Sequence, residues 1–243
     1  MVVRPVKTRI FREGEDLTRF IRRHVPKLKH GSILAITSKI VALAEGRVAE
    51  AKGTRDKGRI IKMESDWALQ THKEWWWTEK DGTLLVNAGI DDSNADGKLV
   101  LLPRDSFASA RKIYTNILQN YGISKCGVVI TDSRISPMRA GVTGVALGYA
   151  GFRGVRDYRG KKDLFGRKLK VTLTNVADSL ATAATLVMGE GEERQPLAVI
   201  EDAPVVFTER PNPKEVLISS KTDMYYPLFR RLGARSRKKK RRY

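Results

Sequence analysis

Residues 126–130 form a short apolar run that gives way to Thr131-Asp132-Ser133. Such a run reads as a buried strand. A carboxylate at the carboxyl end of a buried strand sits where α/β folds place ligands. The stretch from here to Glu190 constrains the fold more than any other. Pro137, Arg139 and Gly141 are expected to turn the chain and present a cation beside the Asp132 carboxylate. Gly144, Gly148 and Gly151 thin the strand that follows, as where another backbone or a ligand comes close. Residues 170–174 alternate polar and apolar like a half-buried strand. Asn175 then caps an Ala-rich helix that closes at Gly189.

The preceding sequence reads as parts that bring oxygen ligands to this stretch. Residues 2–6 are β-like, and Leu17, Phe20 and Ile21 share one face of a helix. Residues 33–36 are a second buried strand, and Thr37-Ser38-Lys39 opens a helix running to Glu45. Amides, hydroxyls and one ammonium converging at such a turn suit phosphate. The glycine-rich Walker pattern is absent, and a lysine at a helix start is more often a surface lysine. Trp75-Trp76-Trp77 cannot all face one side of a strand, so one or two enter a core. Asp81-Gly82 is a hairpin turn. The loop Asn87-Ala88-Gly89-Ile90-Asp91-Asp92-Ser93-Asn94 serves either as a turn or as a source of carboxylates for a hard cation and its phosphates. A helix capped at Asp105 or Ser106 carries Phe107, Ala110, Ile113, Tyr114 and Ile117 on one face. With neither repeat nor clear linker, the expected organisation is one α/β domain over residues 1–210, single or as two interlocked subdomains. Residues 211–243 form an extension.

Cys126 is the only cysteine, which excludes an intrachain disulfide or a thiolate zinc site and suits a reducing cytoplasm. His24, His30 and His72 lack metal-ligand spacing, so a bound metal would take oxygens, as magnesium or manganese does. No apolar run approaches a membrane span. The formal net charge is +19, from 46 Lys and Arg against 27 Asp and Glu. Much of it lies near the C-terminus, where the run from Arg235 to Tyr243 is expected to be disordered and able to attract RNA or another polyanion. No nucleophile–base pair is evident. The acidic loops at Asp91, Asp132 and Glu190, with the turn at Ser38-Lys39, favour metal-assisted phosphoryl chemistry over covalent catalysis.

The segments TSKIVALAEGRV, NAGIDDSN, LLPRDSFASARKI, VVITDSRISPMRAGVTGVALG, DYRGKKDLFGRKLKVTLTNVADSLA and LVMGE occur in that order. Together they resemble the coenzyme F-420-0:L-glutamate ligases, the CofE-like γ-glutamyl ligases, over residues 3–208. The resemblance implies an α+β fold of antiparallel sheets and helices, usually a homodimer. It implies GTP and two divalent cations, Mg2+ or Mn2+, used to join L-glutamate to a carboxylate acceptor. Asp91 and Asp132 would hold one ion, Ser133 and Glu190 the other. Ser38, Lys39 and Asn94 would contact the nucleotide, and residues 188–195, including Met188, Gly189, Glu190 and Gly191, would line its loop. The acceptor carboxylate would be activated as an acyl phosphate before the glutamate amine attacks, with Asp91 and Asp132 catalytic and Arg139 or Arg167 supplementing the metals.

Several positions depart from the family pattern. Leu43 replaces a lysine, and Thr8-Arg9-Ile10-Phe11 replaces a Leu-Pro nucleotide segment. Arg134-Ile135-Ser136-Pro137-Met138-Arg139 replaces a Phe-Gly-Arg-Pro-Trp-Arg segment, Val142 a glutamine and Ser179 a glutamate. The acids remain while nucleotide and substrate contacts change. That pattern implies ligase chemistry on a changed acceptor (F-420-0, a folate-like cofactor, or a peptide or protein carboxylate) or weakened use of GTP. The competing expectation is an altered scaffold that binds RNA or a ribosome through its basic tail.

Overall fold

Aliphatic and β-branched residues run unbroken through 33–36 and 128–130, and each run lies in a strand buried there on both faces. The computed structural model describes residues 1–219 and 221–227. In chain order the elements begin β1 (Val2–Val6), α1 (Leu17–His24), β2 (Ile33–Thr37), α2 (Ser38–Ala44), β3 (Val48–Ala49) and α3 (Thr54–Met63). Next come β4 (Trp67–His72), β5 (Trp75–Lys80), β6 (Thr83–Val86), a 3-10 turn (Asn87–Gly89), β7 (Leu99–Val100) and α4 (Ser106–Tyr121). The last are β8 (Gly127–Ile135), β9 (Val142–Ala150), β10 (Val155–Asp157), β11 (Leu173–Asn175), α5 (Val176–Met188) and β12 (Leu197–Glu201). This is the expected α+β mixture of antiparallel sheets and helices. The chain divides into two units, residues 1–46 with 103–216, and residues 47–102 with those from 217 onward.

The first unit is a five-stranded sheet in the order β1-β12-β2-β8-β9. Only β2 and β8 run parallel, with Thr37 opposite Thr131. Alternation of side chains across a strand gives each face its own core. Leu34, Ile36, Val128 and Ile130 pack with Phe20, Ile21, Ile40, Ile113 and Ile117 of α1, α2 and α4. Ile33, Ala35 and Val129 pack instead with Ala177, Leu180, Ala181, Ala184 and Met188 of α5. Asp16 caps α1 and Asp105 caps α4. Asn175 accepts the Asp178 amide to cap α5, and Gly189 ends it as expected.

Two expectations change. β8 does not end in Thr131-Asp132-Ser133 but runs to Ile135, because β9 continues the ladder as far as Ile135 opposite Val142. The alternating segment 170–174 is not half-buried. It contributes β11, which pairs only with β10, so Val171 and Leu173 lie exposed. A two-stranded ribbon has no second layer to cover it.

The second unit carries the three-stranded sheet β4-β5-β6 and the pair β3-β7. Asp81 (φ 53) and Gly82 (φ 73) both lie in the left-handed region, as a two-residue hairpin between β5 and β6 requires. The tryptophans divide by alternation. Trp76 is buried with Ile61, Ala88, Ile90 and Leu99, while Trp75 is exposed. Glu64 joins Arg47 at 2.6 Å and Lys80 at 2.5 Å, tying α3 to the sheet. Among the described residues no helix is long and apolar enough to cross a membrane. The basic run from Arg235 to Tyr243 lies outside the described residues.

Candidate metal and nucleotide site

Parallel pairing assembles the centre of the site. Because Thr37 stands opposite Thr131, the next residues, Ser38 and Asp132, emerge side by side from neighbouring strands. Ser38 Oγ donates to Asp132 Oδ1 at 3.1 Å, and Ser38 is buried at the start of α2. Lys39 follows it, half-buried. One residue further along β8 the side chain points to the opposite face. There Ser133 Oγ donates to Glu190 Oε1 at 2.5 Å, just past the end of α5. The sheet edge thus carries two hydroxyl–carboxylate pairs, one on the α2 side and one on the α5 side.

The loop after α5 folds on itself. Glu193 accepts the Gly191 amide at 2.8 Å. Its carboxylate also packs against Gly189 (φ 79), where a β-carbon would collide with it. The Thr8 amide donates to Arg194 O at 2.8 Å, and the Thr37 amide to Pro196 O at 3.0 Å, so the N-terminal segment and the end of β2 both hold this loop. Gln195 Oε1 is buried with no hydrogen-bond partner among the described residues. Met188 does not offer its side chain to the loop. It is packed among Ala184 and Ile200 in the core, because it occupies the inward face of the last turn of α5. Leu43, where the family pattern has a lysine, packs against the Phe20 cluster.

Arg139 lies beyond the end of β8. The continuation of β8 carries it to the hairpin turn, where its amide donates to Ser136 O. Three strand residues separate that turn from Asp132, about 10 Å of extended chain. In the second unit, Asp91 and Val100 exchange backbone hydrogen bonds at 3.0 and 2.8 Å. Asp91 Oδ1 accepts the Ser93 amide at 2.7 Å, and Asn94 follows with φ 49. Left-handed Asn87 (φ 53) and Ala88 (φ 56) shape the approach to Asp91. They are fixed by Asn87 Oδ1 accepting from Trp76 N and by Ala88 N donating to Thr78 Oγ1. The loop is therefore a turn, built around buried hydrogen bonds, that presents a carboxylate.

The donors match hard cations. Carboxylate and hydroxyl oxygens suit Mg2+ or Mn2+, and a soft or imidazole-preferring metal finds no ligand of its kind here. Among the described residues no three His, Cys, Asp or Glu side chains gather in one cluster, so each pair would leave several coordination positions to phosphate and water. Cys126 is unsuited to nucleophilic work. It is buried, and burial pushes its thiol up to about 12.

Sequence reasoning missed two residues around this edge. Asp178 and Thr182 of α5 bond to the backbone of β9. The Asn175-x-x-Asp178 spacing signals a helix cap, and that role masks any second one.

Fold and site together define a class: an α+β protein presenting hard oxygen ligands where strands and helix ends meet, suited to metal-bound phosphates. The model of the F420-0:Gamma-glutamyl ligase family matches residues 5–202, and the chain belongs to that family. It is 34% identical to the coenzyme F420:L-glutamate ligase of Methanopyrus kandleri, over 77% of this chain and 81% of that protein. The Archaeoglobus fulgidus ligase of the same name is 35% identical over 79% and 83%. That of Methanocaldococcus jannaschii is 34% identical over 82% and 86%.

Proposed function

We propose that this protein is a cytoplasmic γ-glutamyl ligase that forms an amide between L-glutamate and the carboxylate of F420-0 or a related acceptor, using GTP and two divalent cations. The observation that carries the reading is the pair of hydroxyl–carboxylate contacts, Ser38 with Asp132 and Ser133 with Glu190. Their location on opposite faces of one strand suits two separate ions. Family membership and the names of the relatives support the glutamate ligase reaction.

A carboxylate is a poor acyl donor, because it has no adequate leaving group, so the reaction needs activation by phosphoryl transfer before an amine can attack. Bound Mg2+ or Mn2+ would supply neutralisation of the charge that builds on the phosphoryl oxygens. Asp132 and Glu190 hold the ions, while Ser38 and Ser133 fix the direction in which those carboxylates present their oxygens. Asp91 and Asn94 are assigned to metal and nucleotide from the resemblance alone and are tested separately by Asp91→Asn. Lys39 contacts phosphate, and the loop Gly189-Glu190-Gly191 flanks the nucleotide. The unpartnered oxygen of Gln195 takes a donor from it. The exposed Arg139, at the hairpin turn, meets a substrate anion rather than the Asp132 carboxylate.

The deciding experiment is calorimetric titration of GTP, with ATP in parallel, with and without Mn2+, on wild type and Asp132→Ala. Metal-dependent binding abolished by Asp132→Ala supports the site. Binding of neither nucleotide overturns it.

We also propose a homodimer, supported by Leu164, Phe165 and Val171, which stand nearly fully exposed between β10 and β11. Large solvent-facing apolar groups grouped on one ribbon mark an interaction surface. Sedimentation should show a dimer that Phe165→Asp weakens, and a monomeric wild type would refute it. The Arg235 to Tyr243 run offers a separate contact for RNA, carried by charge alone; its deletion should abolish salt-sensitive RNA binding, and unchanged binding refutes the contact.

A further inference from the structure

The strand that carries Asp132 and Ser133 is paired irregularly at the point where the site begins. Ile130 stands opposite Gly148, but Thr131 stands opposite Ala146. Leu147 is therefore an extra residue on β9, a bulge beside the residue that precedes Asp132. A bulge disrupts the ladder locally and turns the side chains beyond it. A one-residue slip here would reverse the face of every residue that follows.

Here α5 holds the bulge from above. Asp178 Oδ1 accepts the Ala146 amide at 2.9 Å. Thr182 Oγ1, one turn on, donates to Gly144 O at 2.7 Å. Ala146 and Gly144 are the partners of Thr131 and Ser133, so the two anchors bracket the strand opposite Asp132. Asp178 is itself immobilised, because its Oδ2 accepts Asn175 Nδ2 at 2.8 Å and its amide donates to Asn175 Oδ1 at 3.0 Å. The far end of the same helix delivers Glu190 to Ser133. One rigid helix thus fixes β9 at its first turns and a candidate metal ligand beyond its last.

We infer that Asp178 is a positioning residue for the metal and nucleotide site: through the Ala146 amide it pins the β9 bulge and sets the direction of the Asp132 and Ser133 side chains. It touches neither metal nor substrate. Its carboxylate is the acceptor that a helix cap alone would not need, since Asn175 already supplies the cap. The inference rests on the proposed metal and nucleotide site.

The test uses the full chain and Mn2+ with GTP as the probe, titrated calorimetrically well below each variant's melting temperature. Asp178→Ala should raise the Kd of Mn2+-dependent GTP binding about tenfold or more, the effect of removing a group that orients metal ligands. It should also speed hydrogen exchange at the Ala146 amide. Asp178→Asn keeps an acceptor oxygen for the Ala146 amide but sets an NH2 group against Asn175 Nδ2, and should restore part of both properties. Thr182→Val removes the second anchor without altering the acid and should shift Kd in the same direction by less. An Asp178→Ala protein that is folded, exchanges Ala146 faster and binds with the wild-type Kd overturns the inference. So does an Asp178→Asn protein as impaired as the alanine variant. Asp132→Ala in parallel separates the two ideas. If it leaves binding unchanged, the site assignment fails; if it abolishes binding while Asp178→Ala does not, only the positioning role fails.

Discussion

Gly144→Ala tests the close packing of α5 on β9 more directly than any other substitution. An added β-carbon would lie 2.5 Å from Ala181 O and 2.8 Å from Ala181 C, and would also meet Thr185 Oγ1. Ordinary contact begins near 3.4 Å, so α5 must retreat by about 0.9 Å. Two of the three nearest atoms are helix backbone, which cannot swing aside as the end of a long side chain would. Gly144 does not have a left-handed φ, so alanine adds no backbone strain and the steric effect stands by itself. Overpacking of this kind costs about 1–3 kcal/mol. Retreat also stretches the Thr182 bond to Gly144 O and the Asp178 bond to Ala146 N, each worth about 1 kcal/mol net. A total of about 2–4 kcal/mol lowers the melting temperature by about 5–15 °C for a domain of this size. Urea denaturation followed by circular dichroism gives the free energy, and calorimetry the melting temperature. Thr182→Val, which removes one hydrogen bond without a clash, is the control. A Gly144→Ala protein within about 2 °C of wild type, or no less stable than the control, refutes the packing argument.

Two further outcomes are expected. Burial raises the Glu64 carboxyl, but hydrogen bonds from Lys80 and Arg47 outweigh it and hold the group below its ordinary value of 4.5. A lowered folded value means the stabilisation is present above pH 4.5 and lost as pH falls through the folded value. Glu64→Gln should therefore cost about 1–3 kcal/mol at pH 7. The gap to wild type should shrink as melting is followed below pH 4; a constant gap counts against the ion pairs. Cys126, buried and pushed up to about 12, should not react with a thiol-specific disulfide reagent at pH 8 until the protein unfolds. Rapid labelling of the native chain would show that its strand is not buried.

Local physics made much of the architecture legible. Continuous apolar runs marked β2 and β8, since a strand covered on both faces needs no polar alternation. Asn175, Asp105 and Gly189 marked helix ends because orphan amides and left-handed backbone demand those residue types. Asp81-Gly82 marked its hairpin for the same conformational reason. The reading of residues 170–174 as half-buried failed because alternation reports which side chains share a face, not whether anything covers that face. The end of β8 was placed too early because Thr131, Asp132 and Ser133 look like a strand terminus. Their ladder partner β9, the other arm of the same hairpin, carries the strand on to Ile135.

By itself the sequence displayed which residues offer hard oxygen atoms, where helices start and stop, and to which family the chain belongs. These depend on residue type and short spacings, which a linear chain displays. Tertiary structure decided that Ser38 would meet Asp132 and Ser133 would meet Glu190, since those contacts span 94 and 57 residues. It also decided that Met188 faces the core and that Asp178 reaches across to the bulge on β9. Such choices follow from strand order, register and one extra residue in a ladder, and these emerge only when the two faces of the sheet are packed at once.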